Sequence, residues 1–377
     1  MVSSTHVKSC CVVFAFVALA WIGTSQKDPH VTVKRQFEQA KQAETCRFHV
    51  DNGTRFCVKG KLVPSLYLLG AQKSGTSELA HMLCNSNVMT APAVASQQLP
   101  PKKFIGPQGT WGTSYKEHHL FDSQEFTTWS IAHVKHFWES MWPACSLSKW
   151  SHKDLGKKPQ LLPKHPVVAD MTPDYLPMLP AWRNYSFHSL PVLLHDLYGQ
   201  CLGSVNFVVL LREPLARMQS QFYMNRRHHR YEGMTFADLL EHHLDYYDIG
   251  RFRNHLWRSL YGRQLAVWFQ HILPSAFMII PRMYVFKAPF LGCIALQQRL
   301  QIPMDCDVSS VQHANAYEHP SLDTDVPSGS EVWTRVQKVF ASENAHLFKV
   351  LLDAYQRGAE LPAFTPKGQG SLQEVSA

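Results

Sequence analysis

The fold is decided by residues 66–79, LYLLGAQKSGTSEL. The first four residues are apolar and predict a short buried strand, and the small residues of 70–77 predict a tight loop that carries one lysine. Apolar side chains then recur at helical spacing from Leu79 onward. A strand, a glycine loop and a helix in this order cradle phosphate-like anions, because N–H groups of the loop and of the helix N-terminus point at the anion. The stretch therefore predicts a site for a nucleotide-like anionic donor.

The order of residues within the loop separates this site from an ordinary ATP site. A P-loop ends in Gly-Lys-Ser/Thr, and its hydroxyl reaches a magnesium ion. Here Lys73 comes before Gly75, which disfavours a kinase or ATPase and removes the need for a metal at the loop. The alternative at this point is a plain strand-to-helix turn of an α/β protein, so the interpretation depends on further context.

A second apolar run, residues 205–211, supplies that context. Its uninterrupted hydrophobic character suits a central parallel strand, and Pro214 suits the first turn of a following helix. Arg212 then falls at the carboxyl end of the strand, and Ser220 falls two turns into the helix. Because ligands of open α/β sheets bind beyond the carboxyl ends of the strands, this arginine and this serine are candidates for holding a second phosphate group.

Together the two elements resemble the sulfotransferase superfamily, whose sulfonate donor is 3′-phosphoadenosine 5′-phosphosulfate (PAPS). The resemblance implies an α/β fold in which a central parallel sheet is flanked by helices and carries a P-loop-like strand–loop–helix. It implies that Arg212 and Ser220 bind the 3′-phosphate of PAPS. It also implies that the 5′-phosphosulfate binds along the loop, at Gln72, Lys73, Ser74, Gly75, Thr76 and Ser77.

Two further segments resemble the carbohydrate branch of that superfamily. Residues 116–122, KEHHLFD, are similar to the Lys-Glu-Pro-His-Phe-Phe-Asp segment of heparan sulfate glucosaminyl 3-O-sulfotransferases, and residues 170–175, DMTPDY, are similar to their Glu-Lys-Thr-Pro-x-Tyr segment. Chondroitin-type N-acetylgalactosamine sulfotransferases have similar patterns, so the acceptor sugar and the position sulfated stay open. The likeness covers residues 64–355 and continues through Tyr261-Gly262, Trp268-Phe269, Phe290-Leu291-Gly292, Asn315 and His319-Pro320.

The resemblance also implies which residues carry the chemistry. The glutamate of the first segment is the catalytic base in that family, so Glu117 is expected to take the proton from the acceptor hydroxyl. His119 is expected to orient Glu117 or the sulfonate, or to act as the base itself, and Lys73 to neutralise charge on the bridging oxygen. Transfer is expected to be direct and in line. The residues expected to contact the carbohydrate acceptor are Lys116, His118, Asp170, Arg226 and Arg227.

The net charge of +8 is relevant to the kind of molecule that the protein binds. A basic cleft attracts an anionic donor and an anionic acceptor such as a glycosaminoglycan, although a scattered surface excess accounts equally well for the value. The cationic run 226–230, RRHHR, has two interpretations: it binds a sulfated or carboxylated glycan, or it is a solvated helix end. Nucleic acid is not an expected partner. Four tryptophans suit stacking on sugar rings but are expected in the core: Trp129, Trp138, Trp142 and Trp150.

Two departures from the family pattern affect the donor site. Met171 stands where the family has a lysine, and Lys116, His119 and Arg282 are candidates for replacing that cation. The basic Lys-x-Gly-Arg loop before His-Pro is absent, and residues 311–317 stand there instead. These departures leave open a non-catalytic glycan- or nucleotide-binding protein of the same fold as the alternative to an enzyme. A P-loop kinase is the weaker alternative.

The N-terminus predicts entry into the secretory pathway. Residues 10–23 are apolar and uncharged, short for a spanning helix of ~17–25 residues but suited to a signal peptide. The resemblance favours an uncleaved type II anchor in the Golgi membrane, and secretion after cleavage is the alternative. The expected organisation is a cytosolic tail (1–8), a transmembrane signal anchor (9–25), a stem (26–60), a lumenal sulfotransferase domain (61–360) and a disordered tail (361–377).

If the chain is lumenal, its glycosylation triplets and its cysteines become relevant to the structure. Asn52 and Asn184 stand in Asn-x-Ser/Thr triplets. Seven cysteines lie beyond the predicted anchor, and an oxidising compartment allows them to form disulfides. The odd number implies at least one thiol outside such pairs or an intermolecular bond. The candidate pairs are Cys46 with Cys57, closing a hairpin, and Cys293 with Cys306, bracing a loop.

Overall fold

The computed structural model of the protein describes residues 46–50, 53–86, 88–90, 121, 130–146, 149–150, 160–161, 166–178, 189–247, 254–286, 289–304, 306 and 320–362. All of them belong to one compact unit, Gln42–Ala377. The predicted cytosolic tail and anchor, and all but the first two residues of the predicted C-terminal tail, lie outside the described residues. Within the described ranges, no helix combines the length and the apolar character needed to cross a membrane.

The strands form three sheets. A small antiparallel sheet contains β1 (Arg47–Val50), β2 (Gly53–Val58) and β3 (Lys61–Leu62). The central sheet is parallel and contains, in chain order, β4 (Leu66–Gly70), β5 (Met89–Thr90), β8 (Val168–Asp170), β9 (Asn206–Leu211) and β10 (Phe277–Pro281). A two-stranded antiparallel pair joins β6 (Lys149–Trp150) and β7 (Gln160–Leu161).

Ten helices lie between and after these strands in the part of the chain that the structure describes. The helices are α1 (Thr76–Asn85), α2 (Ile131–Met141), α3 (Leu190–Tyr198), α4 (Pro214–Arg227), α5 (Phe236–Leu244), α6 (Tyr261–His271), α7 (Met283–Phe286), α8 (Pro289–Leu300), α9 (Leu322–Asp325) and α10 (Glu331–Gln356). Short 3₁₀ turns cover Gly199–Ser204, Trp257–Ser259 and Pro274–Ala276.

Alternate side chains of β4 point to opposite faces of the sheet, as the strand period requires. Leu66 and Leu68 belong to an apolar cluster built with α1 and α8, whereas Tyr67 and Leu69 belong to a larger cluster built with α2, α3 and α6. All four side chains are fully buried. Helices therefore cover both faces of the sheet, which confirms the predicted α/β fold with a central parallel sheet and a strand–loop–helix.

Two of the four tryptophans considered for sugar stacking lie in this core. Trp138 and Trp142 are buried in the larger cluster, with their rings edge to face. Full burial of a large apolar side chain contributes about 1.5–3 kcal/mol, so the core interpretation is confirmed for both. Trp129 and the side chain of Trp150 lie outside what the structure describes.

The strand order places a ligand crevice at the end of β4. The order across the sheet is β10–β9–β4–β8–β5. From β4 the chain builds β5 and then β8 on one side, before it crosses over to β9 and β10 on the other. Ligands of such sheets bind at the point where the strand order reverses, beyond the carboxyl ends of the strands. Here that point lies between the ends of β4 and β9.

Disulfides tie the small N-terminal sheet to the segments that follow α2 and α3. Cys46 bonds to Cys201 and Cys57 bonds to Cys145, so the predicted Cys46–Cys57 pair is wrong. The backbones of Cys46 and Cys57 are neighbours, since the Cys57 N–H donates to the Cys46 carbonyl at 2.9 Å, but each thiol meets a distant partner instead. The folded unit therefore begins earlier than the stem boundary predicted at residue 60.

The second predicted disulfide is confirmed. Cys293 in α8 bonds to Cys306 across a sequence separation of 13. Of the described cysteines, Cys84 alone takes part in no disulfide, which agrees with the odd number of cysteines.

The helical segment before β10 is interrupted. A 3₁₀ turn is followed by α6, because Leu260 between them has ψ near +65° and leaves the helical conformation. The long helix α10 has its first turn capped by the Ser330 hydroxyl.

Candidate anion-binding site

The loop after β4 requires glycine at both ends. Gly70 has a φ of +148° and Gly75 a φ of +96°, values that favour glycine because it lacks a Cβ. A Cβ on Gly70 would lie 2.7 Å from the carbonyl oxygen of Pro173, and one on Gly75 would lie 2.6 Å from ring carbon Cε2 of Phe286. The loop is therefore held in place by close contacts that other residues would disturb.

Helix α1 begins with a residue that has no side chain to cap it. Its N-cap is Gly75, and the first-turn N–H groups of a helix have no acceptor within the helix. The helix dipole makes this end positive, so Thr76 and Ser77 stand where an anion is stabilised. One acidic side chain, Glu78, lies in the same turn and is 7% exposed.

Arg212 connects the ends of two strands. It directly follows β9, and its Nη1 donates a 2.9 Å hydrogen bond to the carbonyl oxygen of Lys73 in the loop after β4. Burial, and next the nearby Arg282 guanidinium, lower the pKa of Arg212 to about 10. Arg212 therefore stays charged at neutral pH, and partial desolvation strengthens its action on a neighbouring anion.

Helix α4 starts where the sequence predicts. Pro214 occupies its first turn, and the Glu213 carboxylate accepts hydrogen bonds from the N–H groups of Leu215 (3.0 Å) and Ala216 (2.5 Å). This cap fixes the direction in which α4 leaves the sheet edge beside Arg212.

The loop lysine reaches this helix. Lys73 Nζ lies 3.6 Å from the sulfur of Met224. Ser220 is half-buried and lies four residues before Met224, so both occupy one face of α4. The structure thus brings the predicted donor-binding lysine and serine to the same side of α4.

Arg217 is a buried residue of the site that the sequence reasoning missed. It is fully buried, and its guanidinium donates to the Ser259 hydroxyl at 2.8 Å, to the His255 carbonyl at 2.6 Å and to the Gln72 carbonyl at a long 3.5 Å. Burial lowers its pKa to about 10. Its place one turn before Ser220 on α4 is the signal that would have identified it.

Two buried hydroxyls lie near each other, that of Ser74 in the loop and that of Tyr261 at the start of α6. Neither oxygen has an assigned hydrogen-bond partner among the described residues. Burial raises the pKa of Tyr261, while the Arg217 guanidinium and the Ser74 hydroxyl act in the opposite direction. The side-chain oxygen of Gln72 is likewise buried without a partner there.

A second layer of polar residues supports Arg217. Arg258 forms a buried ion pair with Asp174, which follows the end of β8. His255 is buried, with Nε2 within hydrogen-bond distance of Tyr231 Oη (2.9 Å) and Asn225 Nδ2 (3.3 Å). Burial lowers the pKa of His255 well below its usual value, so this layer is neutral at the imidazole and positive at the arginines.

Two predicted positions lie in the interior rather than at the crevice surface. Asp170 is 1% exposed, and its carboxylate accepts hydrogen bonds from Thr172 (2.7 Å) and Tyr175 (3.0 Å). Met171 is buried in the apolar cluster beneath α1. In this structure Asp170 is not presented to an acceptor, and the residue that replaces the family lysine contributes to the core.

The remaining predicted residues divide into two groups. Arg226 and Arg227 are exposed in the last turn of α4, where a basic side chain also favours the helix dipole. Outside the described residues lie Asn52, Lys116, Glu117, His118, His119, Asn184, Asn315 and His319.

No group of three or more His, Cys, Asp or Glu side chains within the described ranges is placed to hold a metal ion.

Comparisons with known proteins find distant similarity among solved structures. No protein-family model matches the chain, and no curated protein sequence matches it. Among solved structures, a sulfotransferase from Alicyclobacillus acidocaldarius is similar to it, with 15% identity and a TM-score of 0.45 over 78% of this chain and 99% of that one. A similarity this distant carries no argument about activity, which has to be inferred from the geometry of the site itself.

Proposed function

We propose that this protein transfers a sulfonate group from PAPS to a hydroxyl of a carbohydrate. The observation that carries the proposal is the bond from Arg212, at the end of β9, to the Lys73 carbonyl in the glycine loop after β4. This hydrogen bond connects two parts of the site. The loop suits one phosphate-type group, and the Arg212 guanidinium suits a second. ATP also carries several phosphates, but the lysine of this loop precedes Gly75 rather than following it.

The residues present fit a donor with two separate anionic groups. The loop Gln72–Ser77 and the uncapped start of α1 suit the 5′-phosphosulfate, and Arg212 with Ser220 suits the 3′-phosphate. The buried side-chain oxygens of Gln72 and Ser74, which have no assigned hydrogen-bond partner among the described residues, mark a polar site at this loop. When bound, the donor supplies a sulfonate attached to a phosphate leaving group.

The chain's own residues then supply charge and a base. Lys73 and the positive end of α1 stabilise the negative charge that develops on the departing phosphate. Glu117 takes the acceptor proton, and His119 orients that carboxylate or replaces it as the base. No metal is required in this scheme, because the lysine and the helix N-terminus act where magnesium acts in a kinase.

The proposed acceptor is an anionic polysaccharide. Arg226 and Arg227 are exposed at the end of α4, the helix that also carries Ser220, so they are placed to meet a carboxylate or sulfate beyond the donor. Lys116 and His118 are proposed to share this role. Trp138 and Trp142 are excluded from it by their burial.

The proposed location is the Golgi lumen, with the chain held by an N-terminal type II membrane anchor or, alternatively, secreted and glycosylated at Asn52 and Asn184. Three disulfides among the described cysteines support an oxidising compartment.

The first experiment separates donor binding from catalysis. Titration calorimetry with adenosine 3′,5′-bisphosphate, the donor product, is followed by transfer from radiolabelled PAPS to heparan, chondroitin, dermatan and simple galactans, with and without EDTA. We expect binding, and transfer to at least one polysaccharide that EDTA does not reduce. Absence of binding would refute the proposal, whereas binding without transfer to any acceptor would favour the non-catalytic alternative.

A further inference from the structure

Two arginines stand side by side at the carboxyl ends of neighbouring strands. Leu211 of β9 pairs in register with Pro281 of β10, so Arg212 and Arg282 follow at equivalent positions. The Arg282 N–H donates to the Leu211 carbonyl at 2.7 Å, which extends the pairing by one residue. Adjacent strands lie about 4.8 Å apart, so both side chains start from the same edge of the crevice.

Phe286 fixes the direction of the second arginine. The Arg282 guanidinium carbon lies 4.1 Å from the centre of the Phe286 ring. The same ring packs against Gly75, the residue that starts α1. Through this contact Arg282 is held beside the anion loop rather than directed along the outer surface.

Positive charge gathers around Arg282 within the described site. Arg282 and Arg212 repel each other; the Glu78 carboxylate attracts both, and the Glu213 carboxylate attracts Arg212 as well. Arg282 Nε is buried and has no acceptor among the described residues. Two partly desolvated guanidinium groups, one of them with this unsatisfied donor, provide a place for a further anion.

We propose that Arg282 is a second ligand of the donor's 3′-phosphate, forming with Arg212 a two-arginine clamp across the ends of β9 and β10. This inference rests on the proposed function and names a phosphate contact within it. Arg282 is assigned to the 3′-phosphate rather than to the 5′-phosphosulfate because its strand neighbour is Arg212, whereas the loop provides its own lysine and helix N-terminus for the other group.

The test measures the binding of two nucleotides that differ by one phosphate. Calorimetry with adenosine 3′,5′-bisphosphate and with adenosine 5′-monophosphate is done on the wild-type protein and on the Arg282→Gln variant. A hydrogen-bonded charge contributes about 1.5–3 kcal/mol, so Arg282→Gln should weaken bisphosphate binding by roughly 10- to 100-fold. Binding of the monophosphate should change less than about threefold, since it lacks the group that Arg282 contacts.

Arg299 offers a matched control. Its guanidinium donates three hydrogen bonds, to Asn206, Glu360 and Ser275, and Asn206 is at the opposite, amino end of β9. Arg299→Gln should leave the affinity for both nucleotides unchanged. Thermal unfolding of each variant shows whether it is folded. If Arg282→Gln does not fold, Arg282→Lys is used, which keeps the charge but loses the planar fork and should weaken only bisphosphate binding.

The outcomes distinguish the two proposals. No bisphosphate binding by the wild-type protein would overturn the proposed function. Wild-type binding together with unchanged binding by a folded Arg282→Gln would overturn the clamp and leave the proposed function standing. Equal weakening of both nucleotides would place Arg282 at the 5′ group and overturn its assignment to the 3′-phosphate.

Discussion

Lys73 holds a backbone conformation that suits glycine better than lysine. Its φ is +70°, in the left-handed region that costs an ordinary residue about 1–2 kcal/mol. Its ammonium lies 3.6 Å from the Met224 sulfur on α4. Such strained residues cluster at functional sites, and here the strained residue is the lysine that the sequence assigns to the donor.

Because Lys73 is a lysine in a conformation that suits glycine, replacing it by glycine is predicted to affect activity and stability differently. Lys73→Gly should leave the free energy of unfolding within about 1 kcal/mol of wild type, because relief of the left-handed strain offsets the added freedom of the unfolded chain. Sulfonate transfer should fall by about 10²–10³-fold, the usual effect of losing one electrostatic stabiliser. Denaturant unfolding and the kcat of transfer are the two measurements.

A second lysine provides the control for that comparison. Lys59 also has a positive φ, +49°, and is exposed in the turn between β2 and β3. Lys59→Gly should have a similarly small effect on stability and none on transfer. Transfer by Lys73→Gly at more than a tenth of the wild-type rate would show that the lysine is not part of the chemistry.

Gly75 permits a prediction about packing at the loop. Gly75→Ala meets both a positive φ and a Cβ that would lie 2.6 Å from Phe286, so it should destabilise the protein by about 2–4 kcal/mol. Gly60→Ala meets a φ of +72° with no atom within 4 Å, and should cost only the roughly 1 kcal/mol of backbone strain. Thermal unfolding measures both. An equal loss of stability in the two variants would mean that the clash with Phe286 does not contribute to the destabilisation of Gly75→Ala.

At the scale of the elements, the strands and helices around the crevice were largely predictable. β4, β9 and β10 are continuous apolar runs, α1 follows directly on Gly75 of the predicted loop, and α4 begins at the predicted proline. β5 and β8 are only two and three residues long, too short for hydrophobic periodicity to show. Arg217 was not predictable as a buried residue, because its partners come from the loop after β4 and from residues 255–259, which only the tertiary fold brings to α4.

The polar layer between α5 and α6 gives a pH dependence. Burial, with smaller contributions from His242 and Arg217, lowers the pKa of His243 to about 4 from 6.5. The unfolded chain therefore binds more protons than the folded protein between about pH 4 and pH 6.5. Stability from this group is fully present above pH 6.5 and is lost as the pH falls, by at most ~1.4 kcal/mol per pH unit.

Chemical unfolding at several pH values tests this sign. The free energy of unfolding should decrease from pH 7 to pH 4, and His243→Gln should reduce the slope in that range. A slope that is the same in His243→Gln and in wild type would contradict the assignment.

At the scale of the whole molecule, disulfides connect parts of the chain that are far apart in sequence. The Cys46–Cys201 and Cys57–Cys145 bonds span 155 and 88 residues. Sequence reasoning found the local Cys293–Cys306 bond and missed these two, because connectivity over such distances depends on the fold rather than on spacing.

A disulfide that closes a long loop is expected to stabilise the folded protein strongly. Replacing both Cys46 and Cys201 by serine should lower the free energy of unfolding by about 2–5 kcal/mol. Cys84→Ser, outside any disulfide, should change it by less than about 1 kcal/mol. Calorimetric unfolding under non-reducing conditions measures both, and equal stability of the double variant and wild type would rule out a contribution from this bond.

The same connectivity has a consequence for biosynthesis. Cys46 and Cys57 leave the ribosome together, whereas Cys145 and Cys201 follow 88 residues after Cys57 and 155 residues after Cys46. In an oxidising compartment the two early thiols, neighbours in one hairpin, are free to pair with each other before their final partners exist. That early bond must be exchanged through mixed disulfides before the final ones can form. A thiol–disulfide isomerase is therefore expected to raise the yield of correctly folded protein, both in the cell and on refolding from the reduced chain.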